Sequence, residues 1–272
     1  MVKVRWNAIA DLNKYNTDME KSMKDKIFFL DHIRVDDVDA IVDFGCANGA
    51  LLDVMPKEWA KCGVDNNPDM QKICKEKSYS IYDSLDKVKN IQPRTLLNMS
   101  SVIHEVYSYL NPKEIAHFWD KVFDGSYEYI AIRDMMLSEN TVRPADTIVE
   151  DIFYTNGKFN NKYANLYYEK WVRPYPEIYQ ADLLHYFLKY RYTDNWAREN
   201  AECYVPISVE QLKALIPANY EIMYEEEYIL PFLKNQVKLD FGYEIKDNTH
   251  IKLLLKKKEN NNGTKISNNS KI

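Results

Sequence analysis

The sequence predicts an α/β fold: a doubly wound, mainly parallel sheet with helices on both faces. Three observations predict it. From Ile41 onward, short apolar runs alternate with segments of helical spacing. Glycine is scarce, with only 7 in 272 residues, yet Gly45, Gly49 and Gly63 fall close together directly after and within the first two runs. An acidic residue, Asp65, ends the second run, where a sheet of this kind presents groups to a ligand.

The elements come in order along the chain. Residues 1–40 read as a polar helical segment whose apolar positions, Ile27, Phe28, Phe29, Leu30 and Ile33, pack onto the rest of the fold. Five strands are expected at IVDFG (from Ile41), CGVDN (from Cys62), YSIYD (from Tyr79), TLLNMSS (from Thr95) and YEYIAIRDMM (from Tyr127). Helical spacers such as MQKICKEK and PKEIAHFWDKVF separate them. Asn48 is placed to cap one helix, and Asn67, Pro68 and Asp69 supply the N-cap, first-turn proline and first-turn acid of the next. Together, residues 41–136 form the ligand-binding core. Residues 137–206 differ in texture: between Gly157 and Glu199, 12 of 43 residues are Phe, Tyr or Trp, which reads as a helical cap with its own core. Phe159, Tyr163, Tyr167 and Trp171 recur every four residues, and Leu183, Leu184, Phe187 and Leu188 make a second stripe. Sheet character returns over 207–257 in YEIMYEEEYI and HIKLLLKK. Residues 258–272 are polar, low in complexity and read as a disordered tail.

Composition excludes several classes. A net charge of −5 argues against a general nucleic-acid coat, which displaces counterions with excess Lys and Arg. No apolar run approaches the roughly 18–20 residues that cross a bilayer, and the first residues mix charges and Asn where a signal peptide is apolar. Cys46, Cys62, Cys74 and Cys203 lack CxxC spacing. The expectation is a soluble, cytoplasmic protein with no membrane partner and no metal. HEVYS is not HExxH, because position 108 is Ser, so a zinc-protease site is excluded as well.

The chemistry concentrates in VDFGCANGALL, Val42 to Leu52. A buried strand ends at Phe44, the chain turns on Gly45 and Gly49, and a helix begins, so backbone N–H groups come close to a bound ligand. Asp65 lies 20 residues after Gly45, where a carboxylate can accept hydrogen bonds from both hydroxyls of a ribose. GCANGA does not fit the GxGxxG of dinucleotide sites, which counts against a NAD-dependent oxidoreductase. With Asp43 two residues before Gly45, the segment resembles motif I of the class I S-adenosylmethionine-dependent methyltransferases, close to D-x-G-x-G-x-G.

That resemblance implies a Rossmann-like, seven-stranded sheet with helices on both faces, S-adenosyl-L-methionine as cofactor, and methyl transfer as the activity. It implies cofactor contacts at Asp43, Gly45, Cys46, Ala47, Gly49, Asp65, Asn66 and Asn98, with Asp83 on the adenine amino group. The family's middle glycine is Ala47 here, and the loop is expected to survive if position 47 does not need positive φ. The acceptor belongs beyond the ends of strands four and five. His104, with an ordinary pKa near 6.5, suits a general base, and Glu105 and Asp134 are alternatives. Arg133, Tyr190, Arg191 and Trp196 are candidate acceptor contacts, the last three because aromatics interleaved with Arg stack planar groups. Between Gly157 and Glu199, seven Lys or Arg stand against five Asp or Glu, too slight an excess to indicate nucleic acid. The cap is expected to act as a lid, and Trp6 and Tyr15 to close over the cofactor. The expected acceptor is a small molecule or a nucleotide-containing substrate. A non-catalytic protein that binds S-adenosylmethionine or another adenosine ligand is the alternative.

Overall fold

The computed structural model describes residues 22–89, 91–146, 152–153 and 161–259. Trp6, Tyr15, Phe159 and the tail from residue 260 lie outside the described residues. Seven strands form one sheet: β1 Ala40–Phe44, β2 Ala60–Val64, β3 Ser80–Tyr82, β4 Thr95–Ser100, β5 Tyr129–Met135, β6 Tyr220–Tyr228 and β7 His250–Lys257. Helices α1 Met23–Lys26, α2 Ala50–Val54, α3 Pro68–Glu76, α4 Ile103–Tyr109 and α5 Pro112–Val122 accompany the first five strands. Next come α6 Asn161–Tyr167, α7 Gln180–Lys189, α8 Trp196–Glu199, α9 Val209–Ala214 and α10 Pro231–Phe241.

The strand order is β3-β2-β1-β4-β5-β7-β6. β1 to β5 pair in parallel, whereas β7 runs antiparallel to both β5 and β6. The side chains of β1, β4 and β5 explain why these strands are central. They are apolar on both faces, as strands sandwiched between helix layers must be. Val42, Leu97, Ile130 and Ile132 face one core with Phe118, Trp119 and Val122 of α5. The alternate residues Ile41, Leu96 and Ala131 face the other, with Phe28, Phe29, Leu52 and Trp59.

Local chemistry sets the strand–helix joins that shape the ligand edge. Asn67 caps α3 by accepting from the Asp69 and Met70 amides at 2.8 and 3.5 Å. Asn48 accepts from the Ala50 amide at 3.1 Å, while the N-cap of α2 itself is Gly49 at φ +76°. The start of α4 is capped from another strand: buried Asp134 of β5 accepts from the Val102 and Ile103 amides at 3.0 and 2.6 Å.

The aromatic segment forms its own core, in which Phe153, Tyr167, Tyr186, Phe187 and Tyr190 are buried. That core also takes in Leu233 and Val237 of α10 and Ile245, from the connection between β6 and β7. The four-residue stripe is interrupted by a π-helical turn over Tyr168–Val172, directly after α6.

Candidate functional site

A cleft opens at the carboxyl ends of β1, β2 and β4, with a volume of about 740 Å³ including its mouth. Its lining joins Asp43, Gly45, Cys46, Ala47 and Asp65 of the first two strand ends to Ser100, Val102 and Glu105 around α4. Met23 and Lys26 come from α1, and Arg198 comes from the cap.

The β1–α2 loop approaches so closely because of its backbone. Gly45 has φ +78°, and a Cβ there would lie 2.7 Å from Val102 Cγ2. Ala47 has φ +45°, so position 47 does adopt positive φ, contrary to the condition set from sequence. Its left-handed conformation costs about 1 kcal/mol, and the loop is held against that cost by its neighbours. The Ala47 amide donates to Asp65 Oδ2 at 2.9 Å, and the Asn67 amide donates to Asp65 Oδ1 at 2.8 Å. Asp65 therefore fixes the loop while presenting its carboxylate to the cleft. Burial raises its pKa, opposed by those two amides and by the charge of Arg198.

At the floor, Asp43 is almost fully buried and accepts from Asn98 Nδ2 at 2.7 Å. Burial pushes its pKa up to about 7, with the Asn98 bond and the Lys26 charge pulling the other way. Lys26 is 7% exposed, and its ammonium makes no hydrogen bond or ion pair among the described residues. Burial and Arg133 lower its pKa to about 8, against the attraction of Asp43, Asp134 and Asp25. Two further buried polar atoms lack partners among the described residues here, Ser100 Oγ on the cleft and Asn98 Oδ1 behind it.

Toward the cap, Arg198 donates to Glu105 at 2.7 Å and to Glu202 at 2.8 Å. His104, Glu105 and Glu202 converge, with one ligand-type atom of each within 4.8 Å of the others, and Arg198 is the cation that bridges the two carboxylates. His104 Nδ1 meets Asp134 Oδ1 at 3.0 Å. Burial disfavours its charge, but Asp134, Glu105 and Glu202 prevail and raise its pKa to about 9, so the imidazole is cationic at neutral pH. Glu105 is raised by burial, with His104 and Arg198 opposing. Asp134 is lowered because the His104 charge and the amide bonds outweigh its burial.

The structure thus brings Asp43, Gly45, Cys46, Ala47, Asp65 and Glu105 together on one cleft. Gly49 lies outside the lining as the N-cap of α2, Asn98 holds Asp43 from behind, and His104 and Asp134 buttress the start of α4. Other expected residues are placed elsewhere. Asn66 is exposed next to Asp65 and is not in the lining. Asp83 is an exposed partner of Lys87 at 2.6 Å. Arg133 is buried behind the cleft, bonded to Asp25 at 2.7 Å, Ser101 at 2.6 Å and Tyr228 at 3.1 Å. Tyr190 and Arg191 both bond Asp240, at 2.7 and 3.0 Å, within the cap. Trp196 is buried beside Tyr163, with ring centroids 5.3 Å apart, along a separate groove. Sequence reasoning missed Met23, Lys26 and Arg198. In sequence, Lys26 and Arg198 look like any surface cation, and only the tertiary fold carries them to the cleft.

No family model matches the chain, and no curated protein does. Among solved structures it is similar to a SAM-dependent methyltransferase from Archaeoglobus fulgidus, at 16% identity and TM-score 0.45, over 89% of this chain and 100% of that one. A SAM-dependent methyltransferase from Methanosarcina mazei is similar at 11% identity and TM-score 0.46, over 85% and 97%. The plantazolicin methyltransferase BamL, in complex with a triazolic desmethylPZN analog and SAH, is similar at 11% identity and TM-score 0.48, over 91% and 90%. A dinucleotide-binding sheet repeats one βαβαβ half after the other, whereas here a single reversed strand, β7, stands between β5 and β6. The sheet, with β7 alone reversed, is that of the class I S-adenosylmethionine-dependent methyltransferase fold, and that is the fold of this chain.

Proposed function

We propose that the chain is an S-adenosylmethionine-dependent methyltransferase acting on a small-molecule or nucleotide-containing acceptor. The observation that carries this reading is the chemistry gathered on one cleft. A buried acid, Asp43, and a buried ammonium, Lys26, line the cleft with the Ser100 hydroxyl, the last two without a partner among the described residues, and Asp65 adds a second carboxylate. An α-amino acid joined to a ribose matches that set. Asp43 suits its ammonium, Lys26 and Ser100 its carboxylate, and Asp65 the ribose hydroxyls. Gly45 lets the backbone approach.

When bound, S-adenosylmethionine supplies an electrophilic methyl group on a sulfonium sulfur. The protein's own part is to align the acceptor and receive its proton. Glu105 is the titratable group on the cleft best suited to that proton, because burial raises its pKa while it faces the cavity. His104 and Arg198 hold it in place as cations, and Asp134 orients His104. His104 thus serves as a positioning residue in this mechanism, and Glu105 as the base.

Calorimetric titration with S-adenosylmethionine, S-adenosylhomocysteine and NAD tests the cofactor. Binding of the first two but not NAD is the expected result, and binding of NAD alone overturns the proposal. Labelled methyl transfer into metabolite, nucleic-acid and protein pools then tests turnover. Persistent cofactor binding with no transfer to any pool would make the chain a non-catalytic ligand-binding protein.

A further inference from the structure

Two of the four cysteines meet behind the cofactor-type loop. Cys46 follows Gly45 in that loop and lines the cleft, whereas Cys74 lies on α3 and is fully buried. Both thiols donate to one acceptor, the Ala47 carbonyl, Cys74 at 3.3 Å and Cys46 at 3.7 Å. The two thiols shift each other's pKa. Glycine leaves the room for both sulfurs. A Cβ on Gly63 would stand 2.5 Å from Cys46 Sγ, and one on Gly49 would stand 3.1 Å from Cys74 Sγ. The bond from Cys46 and the charge of Lys77 hold the Cys74 thiol below its ordinary pKa despite burial. Cys46 is pushed up by the same contact and by burial. The two thiols thus share one acceptor, one of them at the edge of the cleft, where an oxidant can reach the pair.

We propose that Cys46 and Cys74 form a reversible, peroxide-driven disulfide that disables the cleft. The first sulfur attacks a peroxide oxygen, the O–O bond breaks, and a sulfenic acid and one water result. The second sulfur then attacks the sulfenic sulfur and expels a second water. In sum, two thiols and one hydrogen peroxide become one disulfide and two waters. Both S–H donors to the Ala47 carbonyl vanish in that step. Residue 47, already in a left-handed conformation, is then held mainly through its amide bond to Asp65. The loop loosens and Asp65 loses its setting. The effect on cofactor affinity rests on the function proposed above, whereas the disulfide and the loosened loop do not.

The test uses the full, reduced chain, treated with hydrogen peroxide under native conditions. Intact mass is expected to fall by two hydrogen atoms, peptide mapping to show a Cys46–Cys74 link, and dithiothreitol to restore the original mass. Cys74→Ser, close to isosteric, is expected to remain folded and form no link. Amide exchange at residues 46–49 is expected to quicken on oxidation, and S-adenosylhomocysteine affinity to fall by about tenfold or more. Mass gain by oxygen on single cysteines, a link to Cys62 or Cys203, or no reaction overturns the disulfide. A link that leaves loop exchange unchanged overturns the disabling effect. If the reduced chain binds no S-adenosylhomocysteine, the functional reading fails, while mass and exchange still decide this proposal.

Discussion

At the residue scale, Ala47 and Glu105 carry the sharpest expectations. Ala47 occupies a left-handed conformation that glycine adopts without a Cβ penalty. Ala47→Gly removes that strain and adds chain entropy to the unfolded state, and these effects oppose. The strain term is the larger, so urea denaturation should show the variant about 0.5–1 kcal/mol more stable than the parent. An unchanged or lower midpoint would mean that the Asp65 and thiol contacts already relieve the strain. Glu105→Gln keeps shape while removing the base. It should leave S-adenosylhomocysteine affinity within about twofold and slow methyl transfer by about a hundredfold or more. Full turnover in this variant would remove Glu105 from the chemistry. Asp43, Gly45 and Asp65 were legible in the sequence because a scarce residue and two acids stood at fixed offsets around one turn. His104 was legible as a residue near the site but not as a cation. Its charge comes from Asp134, Glu105 and Glu202, and the last is almost a hundred residues away in the chain.

At the element scale, the alternation of strand and helix was readable because the central strands are largely apolar on both faces and α3 and α5 carry local capping chemistry. Helices α6 and α7 fall within the aromatic segment whose spacing reads as helical. The partnership of that segment with α10 was not readable, because α10 follows β6 and belongs by position to the sheet portion of the chain. Nor was the join between α8 and α4, which depends on Arg198 reaching Glu105 and Glu202 while Tyr109 donates to Glu202 at 2.6 Å. Arg198 is mostly buried and Glu202 almost completely so. Arg198→Met would strand a buried carboxylate, at a cost of about 3 kcal/mol. Chemical denaturation should show that loss, and adding Glu202→Gln should recover part of it. If Arg198→Met alone proves neutral, the pair is already solvated and does not tie the cap to the core.

At the scale of the whole molecule, the cleft joins an acid and a base from two elements, Asp43 on β1 and Lys26 on α1. Their pKa values lie at about 7 and about 8. Below pH 7 Asp43 gains a proton and loses its hold on an ammonium. Above pH 8 Lys26 loses its proton and its hold on a carboxylate. S-adenosylhomocysteine affinity should therefore peak between those values and fall on both sides in a calorimetric pH series. A flat profile would separate these two groups from the ligand. The order of the sheet has a further consequence, for how the chain is made. β5, Tyr129–Met135, borders β4 on one side and β7, His250–Lys257, on the other. While the polypeptide is being synthesised, one edge of this apolar strand waits for a partner more than a hundred residues downstream. Until then it is an open template for another nascent chain. The cap segment is translated within that interval, and its aromatic core gains α10 only shortly before β7 emerges. The emergence of β7 is thus the moment at which the sheet closes and its exposure to aggregation ends.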